Sequence, residues 1–381
     1  MPGQKKTPLQ ILAAFKKAGS RIETKSRVRL RTRDDLALFY TPGVGSVSAH
    51  LAEHPEDARA LSIKRNSVAV ISDGSAVLGL GNIGPYGALP VMEGKALIFR
   101  ERAGIDAWPI VLNTQDPEEI VRTICAIAPA FGGINLEDIK APECFDIERR
   151  LIEQLDIPVM HDDQHGTAIV VLAGLLNAAR VVAKPFKKLR IVISGAGAAG
   201  TAVADLVCRA GATDAIVVDR MGIIHQGRRG LVGNKLQLVQ RTNPRGVQGD
   251  LSAALAHADV FVGLSGAGAL PGECIRSMAE RPIIFALANP EPEILPEAAY
   301  AAGAAVVATG RSDFPNQVNN ALVFPGIFRG ALDKGVTMIT EETKLRAARA
   351  LAGLVPQPTS RKLLPDLFDR RVVPAVARAV R

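Results

Sequence analysis

The chain has 381 residues, 48% of them apolar, which is enough for a large core and more than one domain usually holds. Aromatic residues make up only 4% while glycines number 35 and prolines 24, a profile of alternating strands and helices joined by tight turns. Cys125, Cys144, Cys208 and Cys274 stand far apart with no CxxC pair, which speaks against a disulfide framework or a cysteine zinc site and suits a reducing, cytoplasmic setting. The best apolar run, Ala168 to Ala183, is interrupted by Asn177 and Arg180, and the charged start MPGQKKTPLQ has no apolar stretch behind it, so neither a membrane partner nor export is expected.

Much of the net charge of +8 lies in Arg21 to Arg33, where Arg27, Arg29, Arg31 and Arg33 alternate and, on a strand, would share one face. No stacking aromatics are interleaved with these arginines before Phe39, so the expectation is a solvated face or attraction of a small anion rather than a nucleic-acid surface. Ser67 to Ile71 and Trp108 to Leu112 then read as strands, and Pro117 to Ala128 as a helix. The character changes near residue 160. A helix is expected from Thr167 towards Pro185, followed by strands at Leu189 to Ser194, Ala215 to Asp219, Val260 to Leu264, Ile283 to Leu287 and Ala305 to Ala308. From Thr340 the tail reads as two helices broken around Pro356 and Pro358. The expected fold class is α/β in two domains: residues 1–160 carry catalytic and metal-binding groups, and residues 161–381 form a Rossmann-like parallel sheet with flanking and C-terminal helices.

Two stretches match GxGxxG, and context separates them. Gly195-Ala196-Gly197-Ala198-Ala199-Gly200 follows the apolar run LRIVIS and opens a helix with Val203, Leu206, Val207 and Ala210 on one face. Asp219 closes the next strand, where a carboxylate can accept ribose hydroxyls. Tight turns, close backbone approach and a helix N-terminus suit a dinucleotide pyrophosphate. The other match, Gly79, Gly81 and Gly84, is followed by Pro85 and Pro90, so no uninterrupted helix is expected to start there.

Glu137 and Asp138 in NLEDI, with Asp162 and Asp163 in HDDQHGT, could form an oxygen-rich site for Mg²⁺ or Mn²⁺. Helix caps and solvated charges are the plainer reading of such pairs. His161 and His165 have i, i+4 spacing but lack the glutamate or cysteines of a zinc site. Lys95 in MEGKA lies in an apolar neighbourhood, where burial or a nearby cation would lower its pKa and let it act as a base. Tyr40 in FYTPGV carries a phenol on a turn set by Pro42 and Gly43, and either proton donation or a merely structural hydrogen bond is open to it.

Taken in order, YTPGV, LGLGNIGP, MEGKA, NLEDIK, HDDQHGTA, ISGAGAAG and FPNQVNN resemble the malic enzymes, and closely the short bacterial type, over nearly the whole chain. The resemblance implies oxidation of L-malate by NAD or NADP with Mg²⁺ or Mn²⁺, and loss of CO2 to give pyruvate. It implies Lys95 as the base at the C2 hydroxyl, Asp162 as its tuning partner, and Glu137, Asp138 and Asp163 as metal ligands. Tyr40 is the implied proton donor to C3, and Asn289 and Asn320 the contacts to substrate and nicotinamide. A homodimer is also implied, with Tyr40 and Lys95 reaching a neighbour's site. Asp219 would repel a 2′-phosphate while Arg220 could welcome one, and the balance leans to NAD. Animal and plant relatives carry an arginine just before LGLG that pairs with a substrate carboxylate, where this chain has Ala76. The second carboxylate is left without an assigned partner. The rival readings are a malolactic or oxaloacetate-decarboxylating relative and a silent dinucleotide sensor.

Overall fold

The computed structural model describes residues 6–381, and its strands form two sheets. The first contains β1 (Ser67–Ser72), β2 (Asp106–Val111), β3 (Ile134–Leu136) and β4 (Val159–His161), all parallel, in the order β2-β1-β3-β4. Every residue of β1, SVAVIS, is buried, as expected of a parallel strand covered on both faces.

The second sheet contains β5 (Arg190–Ser194), β6 (Asp214–Asp219), β7 (Gly222–Ile223), β8 (Val260–Gly263), β9 (Ile283–Ala286) and β10 (Val306–Thr309). Its order is β10-β9-β8-β5-β6-β7, and only β6 with β7 is antiparallel. The chain runs outward from β5 to β7 and then returns to β8 on the other side. The carboxyl ends of β5 and β8 therefore flank a topological switch point, where this architecture opens a ligand crevice.

Helix Asp162–Val181 joins the two parts. Fourteen of its 20 residues are buried, and it packs against helix Ala198–Arg209 and helix Glu341–Gly353. One apolar cluster includes Val68, Val70, Met92 and Phe99 beside the first sheet together with Ile191, Val217 and Phe285 of the second. The core is thus continuous across both sheets. Phe99 meets Phe324 and Phe328 with ring centroids 4.8 and 5.5 Å apart, which holds helix Gly84–Ala103 against helix Phe324–Lys334.

Several local expectations are corrected. No strand forms over residues 27–33, and Arg33 instead begins helix Arg33–Phe39. Thr32 caps that helix, and Asp35 accepts the backbone N–H groups of Arg31 and Thr32, so the local bonding favours a helix start over an unpaired strand. A helix, Gly84–Ala103, does follow the first glycine motif. Pro85 lies in its first turn, where no intrahelical donor is lost, and the buried face of Ala88, Met92, Ala96 and Phe99 supports the turn interrupted by Pro90. The helix expected from Thr167 begins at Asp162, so Asp162 and Asp163 lie in its first turn, where the helix dipole favours negative charge.

Asn177, buried in the central helix, donates from Nδ2 to the carbonyls of Ala352 (2.9 Å) and Leu363 (2.8 Å) and so ties down the C-terminal tail. Asn177→Leu strands both carbonyls without a donor and is expected to cost about 2–4 kcal/mol. A denaturation midpoint that falls, with hydrogen exchange accelerated first in residues 354–381, is the expected result.

Candidate active site

The first sheet aligns its acids through register. Leu136 of β3 stands opposite His161 of β4, so the residues that follow each strand, Glu137-Asp138 and Asp162-Asp163, emerge side by side at the carboxyl edge. Asp138 takes a left-handed conformation with φ of 53°, which aspartate tolerates better than most residues. That turn lets its N–H donate to Asp163 Oδ2 at 2.8 Å while its carbonyl accepts from Ala76 N–H at 2.9 Å. One oxygen from each of Glu137, Asp138 and Asp163 lies within 4.8 Å of the others. Asp138 Oδ2 is buried without a hydrogen-bond partner among the described residues.

Lys95 enters from helix Gly84–Ala103. Its Nζ donates to Asp162 Oδ2, lies 2.7 Å from Glu137 Oε2 and sits 4.3 Å above the Phe324 ring centroid. Four carboxylates therefore crowd one ammonium group in a buried setting. Burial, and then the charge of Asp163, raise Glu137 and Asp138 above the ordinary carboxylate range. Burial raises Asp162 as well, against the pull of Lys95. This surplus of hard oxygen donors, one of them orphaned, fits Mg²⁺ or Mn²⁺ held by Glu137, Asp138 and Asp163. Lys95 departs from expectation. Burial acts to lower its pKa, but the charges of Asp162, Glu137 and Asp163 outweigh it and hold the lysine protonated.

Asn320 approaches this cluster from the second part of the chain, and the Asn289 loop meets the loop of the first glycine motif. A Cβ on Gly166 would lie 1.8 Å from Asp162 Oδ1 and 3.2 Å from the Asn320 Cβ, so Asn320 is packed over the carboxylate that holds Lys95. A Cβ on Gly79 would lie 2.1 Å from the Asn289 carbonyl oxygen. The first glycine motif thus lets one loop close against the Asn289 loop. Tyr40 is not brought into the cluster. It is 63% exposed, and its hydroxyl has no hydrogen bond to Lys95 or the carboxylates among the described residues.

The second glycine motif leaves β5 at the switch point. Gly195 has φ of 120°, and a Cβ there would lie 2.5 Å from the Leu264 carbonyl oxygen; a Cβ on Gly200 would lie 1.9 Å from the Gly195 carbonyl oxygen. Open space surrounds Gly197, and no side chain caps helix Ala198–Arg209, so the backbone N–H groups of Ala198, Ala199 and Gly200 are left for an anion. Asp219 is already engaged: it accepts from Arg228 Nη2 at 2.6 Å, Lys235 Nζ at 2.7 Å and the Met221 N–H at 2.9 Å. Burial opposes its ionisation, but these donors hold its pKa down to about 2. Arg220, the cation next to it in sequence, is exposed.

Two models of known families match this chain: the malic enzyme N-terminal domain over residues 19–152 and the malic enzyme NAD-binding domain over residues 164–381. The chain belongs to the malic enzyme family. An NAD-dependent malic enzyme of Geobacillus stearothermophilus is 54% identical over 364 residues, covering 95% of this chain and 76% of that relative. A bifunctional malic/malolactic enzyme of Bacillus subtilis is 52% identical over 94% of this chain and 88% of its own length. The crystal structure of an NAD-dependent malic enzyme from Thermotoga maritima superposes with a TM-score of 0.94 at 47% identity, covering 97% of this chain and 98% of that one. The two α/β domains of this malic enzyme are an N-terminal domain and a Rossmann-like NAD-binding domain.

Arg228 and Lys235 were not legible beside Asp219, because they return to it from a loop and from helix Asn234–Arg241. Glu148 was overlooked too, although it carried a signal: it is a carboxylate on the buried stripe of Cys144, Ile147 and Leu151 in helix Glu143–Gln154. It accepts the backbone N–H of His161 and faces the ring Nε2 of His165 in the HDDQH segment. Gly200→Val forces a side chain into the Gly195 carbonyl, and NADH titration by fluorescence should show at least about tenfold weaker binding.

Proposed function

We propose that this malic enzyme oxidises L-malate at C2 with NAD(P) and Mg²⁺ or Mn²⁺ and releases CO2 to leave pyruvate. The observation that carries the reading is a buried lysine held between Asp162 and the Glu137, Asp138 and Asp163 carboxylates, facing a doubly wound dinucleotide domain. Glu137, Asp138 and Asp163 hold the cation, and Asn289 and Asn320 position substrate against the nicotinamide. The catalytic and metal-binding part divides from the dinucleotide part at about residue 160. When bound, the cation supplies Lewis acidity at the C2 oxygen and offsets the carboxylate charge that keeps Lys95 protonated, and the nicotinamide accepts hydride from C2. Lys95, as the neutral amine, takes the C2 hydroxyl proton, with Asp162 fixing the position of its Nζ. Tyr40 returns a proton to C3 after the C3–C4 bond has broken. A cytoplasmic setting belongs to this reading, and no helix among the described residues is long and apolar enough to cross a membrane. Nucleic acid has no part in it.

A second copy of the chain completes the site. No residue from 6 to 66 is buried, and Leu12, Phe15, Leu38, Phe39, Val44 and Val47 are exposed, the last four close to Tyr40 in the chain. A homodimer would cover this surface and carry Tyr40 to the partner. Lys95, by contrast, stays with Asp162 of its own chain.

NAD is the preferred cofactor in this reading, because Asp219, paired with Arg228 and Lys235, sets a carboxylate at the end of β6 where a 2′-phosphate would have to fit. Curated relatives include both NAD- and NADP-dependent malic enzymes. Asp219→Ala frees Arg228 and Lys235 and should move the NADP to NAD ratio of kcat/KM by about tenfold or more towards NADP.

The direct assay follows reduced cofactor with malate and Mn²⁺, with and without EDTA. Chelation and Lys95→Ala should each abolish turnover. Carbon dioxide release without accumulation of reduced cofactor would favour the malolactic alternative, which the bifunctional Bacillus subtilis relative brings into view. A chain that binds dinucleotide but turns over no malate would be a sensor. Mixing equal amounts of Tyr40→Phe and Lys95→Ala protein should restore about a quarter of the activity if Tyr40 serves the partner's site, and none if each site uses its own.

A further inference from the structure

Behind the proposed metal ligands lies a buried polar network to which the mechanism gives no role. Glu148 Oε1 accepts the backbone N–H of His161 at 2.7 Å, and its Oε2 accepts from Gln164 Nε2 and His165 Nε2, each at 3.0 Å. Lys344 closes the far side, with Nζ 2.9 Å from His165 Nδ1 and 2.7 Å from Glu341 Oε1. Gln164 Nε2 also lies 3.1 Å from His161 Nδ1, and His161 Nε2 lies 3.5 Å from Asp163 Oδ2 with no hydrogen-bond partner of its own.

Donor and acceptor chemistry orders these contacts. An ionised carboxylate can only accept, so the Gln164 atom facing Glu148 must be its amide nitrogen. That same nitrogen faces His161 Nδ1, so Nδ1 accepts and the proton of the neutral ring resides on Nε2. The Nε2–H group then lies 3.5 Å from Asp163 Oδ2, a charge–dipole contact rather than a formed hydrogen bond.

We propose that Glu148 is a positioning residue that sets the His161 tautomer and thereby holds Asp163 in place to bind the cation. The proposal rests on the reading of Asp163 as a metal ligand. Glu148→Gln is nearly isosteric but removes the obligatory acceptor. Its amide can donate to Gln164 Oε1, which turns the Gln164 oxygen towards His161 Nδ1 and moves the ring proton there. A lone pair on Nε2 then faces the Asp163 carboxylate and repels it.

The test uses full-length, metal-free protein labelled with ¹⁵N-histidine, in which long-range ¹H–¹⁵N spectra distinguish the tautomers of the six histidines and His161→Asn assigns the resonance. Wild type is expected to carry the His161 proton on Nε2, and Glu148→Gln to carry it on Nδ1. Equilibrium Mn²⁺ binding should weaken at least about tenfold in Glu148→Gln. Ile147→Val, a core lesion on the same helix, should leave both readouts unchanged. If Glu148→Gln does not fold, Gln164→Met cuts the same relay and should weaken Mn²⁺ binding in the same direction. A wild-type proton on Nδ1, or Mn²⁺ affinity in the variant within about twofold of wild type, overturns the proposal. Asp163→Asn separates the two levels: if it binds Mn²⁺ as well as wild type does, the metal-ligand reading fails and this proposal fails with it, whereas loss of binding leaves the tautomer to decide.

Discussion

A buried surplus of negative charge governs the structure around the proposed active site. Lys95 satisfies Asp162 and touches Glu137, which leaves Asp138 and Asp163 crowded beside them without a matching Lys or Arg among the described residues. Such a cluster is unfavourable in a low dielectric unless something brings positive charge to it. The same surplus of negative charge that would attract a cation holds Lys95 protonated. In the proposed mechanism, metal affinity and the base strength of Lys95 would therefore be linked by one electrostatic balance.

The fold supplies that cluster by placing carboxyl edges together. Parallel register sets the acids after β3 beside those after β4, and helix Asp162–Val181 carries the second pair into a core shared with the dinucleotide-binding sheet. The first turn of this helix is held from behind by Glu148, in front by the Asp138 N–H and above by Asn320 packed on Gly166. A helix that begins in one site and ends among the helices flanking the other sheet couples the two parts mechanically. The two glycine motifs act on opposite sides of that junction, Gly195 to Gly200 under the expected pyrophosphate and Gly79 against the Asn289 loop.

Much was legible in advance where local rules suffice. The strands at residues 67, 190, 215, 260 and 283 announced themselves as apolar runs between turns, and the second glycine motif was marked by the apolar strand before it and by Asp219 at the end of the next strand, whereas a following helix is common to both motifs. Local rules also misled. Four alternating arginines looked like a strand, but alternation means nothing without a partner strand, and Thr32 and Asp35 close a helix start instead. Pro85 and Pro90 looked like helix breakers, yet a buried face from Ala88 to Phe99 outweighs one lost backbone bond. The apolar neighbourhood of Lys95 was legible, but neither its burial nor its protonation was, because the protonation depends on carboxylates 42 to 68 positions away in the chain.

The sequence by itself determined the alternation of strands and helices, the glycine turn, the chemical types available for catalysis and the family. Each of these is written in contiguous residues through periodicity, side-chain chemistry or a run of matching motifs. Only the tertiary structure decided that Asp219 is held by Arg228 and Lys235, that Glu148 reaches both histidines, and that Tyr40 lies on an uncovered surface away from its own chain's Lys95. Those facts depend on which distant segments share a volume of a few ångströms, and pairwise electrostatics at that range cannot be read from order along a chain.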